Sequence, residues 1–443
     1  MLQAGAATID ITNEIGRPIQ GANVDQVAES IRDRCEANAL YLKEADQEAL
    51  FISCDFVGIE RRFLDPILAS ITLASGVEPE SIILAGTHMH SGPSLIPTNP
   101  RKAIDTDYLK RLEHLLSDVA TRAKGTAQPA RIGWGHGSAQ IGYNRRVCWA
   151  DGTHSMHGDT TREDFTGLEG TVDPSHLALF ILREDNSLVA VLYHNTTHPT
   201  SFYGANFYSA DFPGLARSYL REAVQDELPV LYFNGAQGDI AMENQETKHR
   251  FCETNEQGMR RLAHLVTGET LRLLHEMTPC NETRFRHMHE TLTVDIQLPT
   301  EERLAWSRDI NARVSSGADG EVTPSKWDTM LAHGIQSLQD QFGDHPVDVL
   351  HLHGIRIGDI AILTQPCELY CQFGLDIKRR SPAPVTAVFG MCDGSEGYMG
   401  TVYSKLGGGY SGEPIQWSRY AAEGGYVVVD AAADLLRRLW KEG

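Results

Sequence analysis

No run in the sequence approaches the ~20 apolar residues that a helix needs to cross a bilayer. The opening M-L-Q-A-G-A-A-T-I-D-I-T has neither the basic start nor the apolar centre of a secretory leader. Cationic residues are in the minority: 39 Lys and Arg face 59 Asp and Glu, a formal charge of -20. So acidic a surface disfavours nucleic acid and anionic membranes as partners. The eight cysteines are scattered with no C-x-x-C pair, and Cys367 and Cys371, four apart, make no zinc motif. The setting expected is reducing and cytoplasmic, with free thiols; there the sequon Asn281-Glu282-Thr283 has no meaning. Low-complexity tracts, long Ser/Gly linkers and repeats of about 20–50 residues are also missing. What remains is 443 residues of ordinary apolar content, enough for a large core, read as one domain over 1–443.

The stretch that organises the chain is 82–93, I-I-L-A-G-T-H-M-H-S-G-P. An apolar run closed by Gly and Pro predicts a short buried strand. On extended backbone, residues i and i+2 point the same way, so His88 and His90 face one side at the strand's end. Paired imidazoles there suit a metal such as zinc. The chain holds two more H-x-H pairs, His287/His289 and His351/His353. These sit inside alternating strand-like runs, where solvated or sheet-packing histidines are expected.

Along the chain, the pattern predicts strands at 3–12, 49–55, 82–86, 130–142, 230–235, 284–298 and 385–391. A hairpin is expected over 177–194 and another over 355–363. Helices are expected at 61–75, 106–124, 211–224, 256–277 and 429–441, with a helix-like piece between 31 and 48. Residues 147–172 read as a long surface loop, and 300–345 as a helical insertion or cap. The strand–helix–strand order at 49–86 implies a parallel pair with a crossover. The fold class is therefore mixed α/β, a sheet core with flanking helices. Strands end in polar, Gly- or Pro-broken corners at 87–93, 194–201, 234–239, 366–368 and 393–398, and functional groups of α/β proteins gather at such carboxyl ends.

The blocks A-G-A-A-T-I-D-I-T, G-T-H-M-H-S-G-P, T-H-P-T-S, the G-D turn at 238–239, P-C-E at 366–368 and G-Y at 397–398 occur in that order. Together they resemble the catalytic domain of the neutral/alkaline, non-lysosomal ceramidases, over about residues 4–435. The resemblance implies one zinc ion per chain, held by His88, His198, Glu368 and Tyr398. It implies active-site roles for His90, for Arg145 of the N-R-R block and for Tyr410. Tyr403 is the rival for Tyr398, and Asp393 for Glu368. Where the family reads G-D-V-S-P-N, this chain reads Gly238-Asp239-Ile240-Ala241-Met242-Glu243-Asn244, so Ala241 replaces the proposed catalytic serine. Neither the family's C-terminal immunoglobulin-like domain nor a secretion signal is expected. The chain reads as a divergent, cytosolic bacterial-type member.

With alanine at 241 the route through a serine ester is closed. Attack by metal-bound hydroxide is the simplest hydrolysis left, with His90, Tyr410 and Arg145 moving protons or bonding an oxyanion. Asp239 or Asp211 would orient a ligand histidine or act as base. The expected activity is zinc-dependent hydrolysis of a C–N amide bond in a small soluble N-acyl compound other than ceramide. An ester or lactone hydrolase, an isomerase or lyase on a polar sugar-like substrate, and a non-catalytic binding protein are the alternatives. A long apolar groove would favour an acyl chain. A small pocket lined by Arg145, Arg146 and His157 would favour a polar substrate.

Overall fold

The computed structural model describes residues 1–20, 26–96, 104–247, 255–280, 284–316 and 324–441. The sequon at 281–283 lies outside them, as do residues 317–323 of the predicted helical insertion. One topological unit occurs three times. In the first, β1 (Gln3–Asp10), β2 (Glu36–Glu44) and β3 (Gln47–Cys54) are successive antiparallel neighbours. Helix α1 (Arg61–Ser75) crosses over, β4 (Ile82–Gly86) returns parallel to β3, and α2 (Thr106–Gly125) lies back across β1 and β2. The second repeats this with β5 (Arg131–Ser138), β6 (Ser175–Leu182), β7 (Leu188–Asn195), α3 (Asp211–Val224), β8 (Val230–Asn234) and α4 (Asn255–Glu276).

The third unit begins with β9 (Phe285–Asp295). A helical pair, α5 (Glu301–Ser316) and α6 (Lys326–Phe342), precedes β10 (Val347–Ile357) and β11 (Ile360–Thr364). Then come α7 (Cys371–Arg380), β12 (Val385–Phe389), the short α8 (Val402–Gly407) and α9 (Gly424–Lys441). Again the last strand joins parallel to the one before the crossover helix, β12 beside β11. A parallel partner demands such a crossover, which the helix supplies.

Each sheet is covered on both faces. One face of all three contributes to a shared core, through Phe51 and Ile83, Leu192 and Phe233, Ile362 and Phe389. The other faces carry α1 and α2, α3 and α4, and α7 and α9. Burial on both faces is why these strands read as continuous apolar runs rather than alternating ones. The helices show the complementary pattern: in α1, Leu64, Ile67, Leu68 and Ile71 form the buried stripe, and Gly76 in the left-handed region closes the helix by donating to Thr72 O.

The carboxyl ends of the parallel strands are tied into a ring. Ser53 Oγ donates to Tyr232 O over 2.6 Å. Gly390 N donates to Asn234 O over 2.9 Å, and Gly86 N to Met391 O over 3.3 Å. Corners far apart in sequence are thus brought to one place.

Three expectations differ from the structure. The segment read as helix-like holds β2, whose residues 37–42 are buried without alternation. Within 147–172 there is a small antiparallel sheet, Arg146–Trp149 with His154–Met156 and Phe165–Leu168, rather than a loop. Strand β10 starts at Val347, earlier than the hairpin predicted from 355. Among the described residues no helix is long and apolar enough to cross a membrane, and the buried cysteines Cys35, Cys54, Cys148, Cys367, Cys371 and Cys392 are free thiols.

Candidate metal centre

His88 follows β4 in the left-handed region, at φ 67°, which turns its ring back over the strand ends. Its Nδ1 lies 2.8 Å from Val57 O, so the ring proton sits there and the Nε2 lone pair faces inward. His198 follows β7 before Pro199 and uses the same device, with Nδ1 2.8 Å from Ile240 O. That carbonyl belongs to a two-residue strand, Ile240–Ala241, paired with Tyr143–Asn144.

Glu368 enters from the third unit. Glu368–Leu369 pairs in parallel with Tyr398–Met399, which sets the Glu368 and Tyr398 side chains beside each other. Glu368 Oε2 lies 3.0 Å from His198 Nε2 and 3.4 Å from His88 Nε2. His88 Nε2 is buried and has no hydrogen-bond partner. Burial raises the Glu368 carboxyl, but His88 and His198 outweigh it and hold the group well below the usual carboxylate range. Burial, then the Arg145 guanidinium, push His198 well below the usual imidazole value. Tyr398 is driven up, first by burial and then by Glu368.

The donor set fits a divalent metal ion. Two imidazoles turn their Nε2 atoms inward, each ring is fixed by a backbone carbonyl, and an ionised carboxylate stands between them. One ligand atom each from His88, His90 and His198 also lie within 4.8 Å of one another. Their rings stand 5.0 Å apart for His88 and His90, and 4.8 Å for His88 and His198.

Arg145 Nη2 lies 2.9 Å from His198 Nε2, 2.9 Å from Gly238 O and 3.2 Å from Tyr398 Oη. It thus bonds the very atoms that His198 and Tyr398 turn toward the centre. Arg146 is fully buried and bonds Glu169 together with the Ser404 and Gly408 carbonyls. Neither arginine lines the cavity in front of His88, and His157 does not line it either.

That cavity has a volume of about 590 Å³. His88, His90, Glu368 and Tyr398 form one end. Tyr410 and Trp417 stand over it, ring centroids 5.4 Å apart, and Trp327 of α6 packs on Tyr410 at 5.7 Å. Met330 and Phe342 bring α6 into the wall. The place of Trp327 and Trp417 at the cavity was not expected from the sequence; for Trp327 the signal was an aromatic residue in a charged helical segment.

Asp239 and Asp211 lie elsewhere. Asp239 accepts from Asn144 Nδ2 and from Cys371 N, both at 2.7 Å. Asp211 accepts from Ser201 N at 2.8 Å and Ser201 Oγ at 2.6 Å. Burial raises both carboxyls to about 6. Asp239 acts on the site through its backbone: its carbonyl takes the Arg145 N–H at 2.8 Å. Tyr403, the rival ligand, is exposed and stacks edge-on to His154 instead. Asp393, the rival to Glu368, lies against His353.

The three-unit framework with these side chains at its strand ends can be compared with solved proteins. The chain has the fold of neutral ceramidase. Neutral ceramidase from Pseudomonas aeruginosa matches 100% of this chain and 75% of its own, with a TM-score of 0.75 at 17% identity. A ceramidase complexed with C2 matches with a TM-score of 0.73 at 15% identity, over the same shares. No protein-family model matches the chain, and no curated protein does.

Proposed function

We propose that the chain is a zinc-dependent hydrolase of the C–N amide bond in a small soluble N-acyl compound other than ceramide. The observation that carries this reading is the convergence of His88 Nε2, His198 Nε2 and Glu368 Oε2 at the end of an open cavity. The likeness to neutral ceramidase supports it. Tyr398 completes the proposed ligand set, two nitrogens and two oxygens, which suits zinc. A zinc ion held there supplies Lewis acidity and lowers the pKa of bound water.

The chain's own residues supply the rest. His90 is half-buried at the cavity end, placed to carry a proton between water and the leaving amine. Tyr410, held as a phenol chiefly by burial, donates a hydrogen bond to the developing oxyanion. Arg145 positions His198 and Tyr398 rather than touching substrate. Ala241 is buried and offers no nucleophile, so the attacking group is water. The cavity mixes Tyr203, Met330, Phe342 and Trp417 with the ion pairs Arg62–Glu60 and Arg419–Asp348. A compound with a short acyl arm and a polar amine end matches that lining.

The test is metal content followed by a screen. About one zinc per chain is expected as purified, lost on His88→Ala/His198→Ala, with release of free amine from short N-acyl substrates but none from ceramide. Zinc retained by the double variant would overturn the ligand set. Cleavage of esters or lactones with no amide cleavage would overturn the reaction class.

A further inference from the structure

Tyr398 and Tyr410 stand at the cavity end with ring centroids 5.5 Å apart, and the chain between them runs through α8 into Gly407-Gly408-Gly409. Gly408 and Gly409 take φ of 69° and 79°, the left-handed region that favours glycine. A Cβ at Gly407 would fall on the His154 ring, and one at Gly409 would stand 2.6 Å from His154 O. Glycine is thus required for the turn to lie this close. Three in a row also leave the backbone before Tyr410 with little stiffness of its own.

Beyond Tyr410 the chain is pinned by Trp417 Nε1, which donates to Tyr410 O at 3.1 Å, and by Ser418 Oγ, which donates to Ser411 O at 2.7 Å. Before Tyr410 the pin is Arg146. Its Nη2 donates to Gly408 O at 3.0 Å and to Ser404 O at 3.3 Å. Its Nε donates to Glu169 Oε2 at 2.8 Å, and the same oxygen lies 2.7 Å from His154 Nδ1. Glu169 N donates back to Arg146 O at 2.9 Å. All three side chains are buried. A guanidinium this deep is tolerated because Glu169 pairs it, and its planar fork reaches carboxylate and loop carbonyls at once.

We propose that Arg146 is a positioning residue for the hydrolysis proposed above: it clamps the glycine turn and so sets the Tyr410 hydroxyl where the oxyanion forms. The inference rests on the reading of Tyr410 as the oxyanion donor. A donor of that kind works only at hydrogen-bond distance from the developing charge. A misplacement of about 1 Å costs about a hundredfold in rate. Arg146 does not line the cavity, so its effect on turnover passes through another residue. Tyr398 is held separately, by the pairing of its strand with Glu368–Leu369. Tyr410, next to the clamped turn, is the residue that Arg146 governs.

The test is a double-variant cycle in the full chain with zinc supplied, with hydrogen exchange beside it. Arg146→Met/Glu169→Met removes both members of the ion pair, so no bare charge is left buried. Arg146→Lys keeps the charge and loses the fork. On a short N-acyl substrate, Tyr410→Phe is expected to lower kcat about a hundredfold. The pair variant is expected to lower it about tenfold or more, with KM within about twofold, and Arg146→Lys recovers part of the loss. Added to Tyr410→Phe, the pair variant lowers kcat no further, because both changes remove one interaction. Amide exchange across residues 404–411 speeds at least about tenfold in the pair variant, and zinc content stays constant. Additive losses in kcat, or unaltered exchange, overturn the proposal. Zinc lost from the pair variant overturns it too, by placing the effect on Tyr398. Unchanged kcat in Tyr410→Phe overturns the oxyanion reading and this inference together. If the parent cleaves no amide, the reaction reading fails by itself, and the exchange measurement still decides whether Arg146 holds the turn.

Discussion

The chain uses the same tripeptide pattern in two ways, and the contrast lies in the backbone. At 88–90 the pattern falls just past a strand, where His88 takes a positive φ and its ring, like that of His198, is held by a main-chain carbonyl. At 287–289 and 351–353 it falls within paired strands, where the rings hydrogen-bond to one another in pairs, His287 with His353 and His289 with His351. The first arrangement aims donors from three units at one point. The second sets out donors in pairs along a ladder. Spacing in sequence is identical; what differs is whether the strand has ended.

The contrast breaks most sharply if either set of histidines can stand in for the other. His88→Ala/His198→Ala is expected to abolish zinc binding and to lower amide hydrolysis by at least about a thousandfold, the several kcal/mol attributed to a catalytic metal. His287→Gln/His353→Gln is expected to leave turnover near that of the parent. Activity assays on metal-loaded proteins compare the two directly. Gly86→Ala then tests the carbonyl lock. A Cβ at Gly86 would stand 2.9 Å from Phe56 O and 3.0 Å from Val57 O, and Val57 O is the acceptor of the His88 ring. Metal affinity at the first centre is expected to fall about 10–100-fold. Unchanged zinc affinity would show that the carbonyl does not orient the ring.

Much of this was legible in the sequence where one local rule dominated. Helix α1 and strand β4 lie where the apolar stripe and the run closed by Gly-Thr placed them. Strand β2 was not legible: E-A-N-A-L-Y-L-K-E is rich in helix formers, and burial on both faces erased the alternation that marks a strand. The threefold recurrence of the unit is topological and leaves no period in the sequence. His88, His198, Glu368 and Tyr398 converge and Arg145 joins them, whereas Arg146, weighed as a pocket-lining residue for a polar substrate, is buried against Glu169, a neighbour that only the fold brings near. The ladder was half legible, since alternation placed both pairs in strands but could not show that the strands are partners.

Acid sharpens the comparison from the other side. An unfolded histidine takes a proton near pH 6.5, whereas folded His287 and His289 resist until about 3 and about 4. Between these limits the unfolded chain binds more protons, so the stability that the ladder contributes is present above about pH 6.5 and is lost as pH falls toward 3. Asp211 and Asp239, raised by burial to about 6, work in the opposite sense, losing stability as pH rises from 3.8 through 6. Melting temperature against pH should therefore fall on the acid side in the parent. It should fall less steeply in His287→Gln/His289→Gln, at a neutral-pH cost of about 1–3 kcal/mol for the lost buried partners. Equal acid slopes would mean that the ladder does not govern acid stability.

The smallest effect is expected at Ala241. Its strand supplies the Ile240 carbonyl that locks His198, and its own side chain is buried beside that lock. If the chemistry is direct attack by water, Ala241→Ser adds a hydroxyl with no task. Turnover should then stay within about twofold, and stability within about 1 kcal/mol, since a small buried hydroxyl costs little once it finds a partner. The decisive reading is pre-steady-state. A burst of amine release in Ala241→Ser, absent from the parent, would show that a serine at this position is acylated and that the centre retains a second route. No burst, with unchanged turnover, would show that the carbonyl lock at Ile240 is what this strand contributes, and that the first centre works through its ligands and water alone.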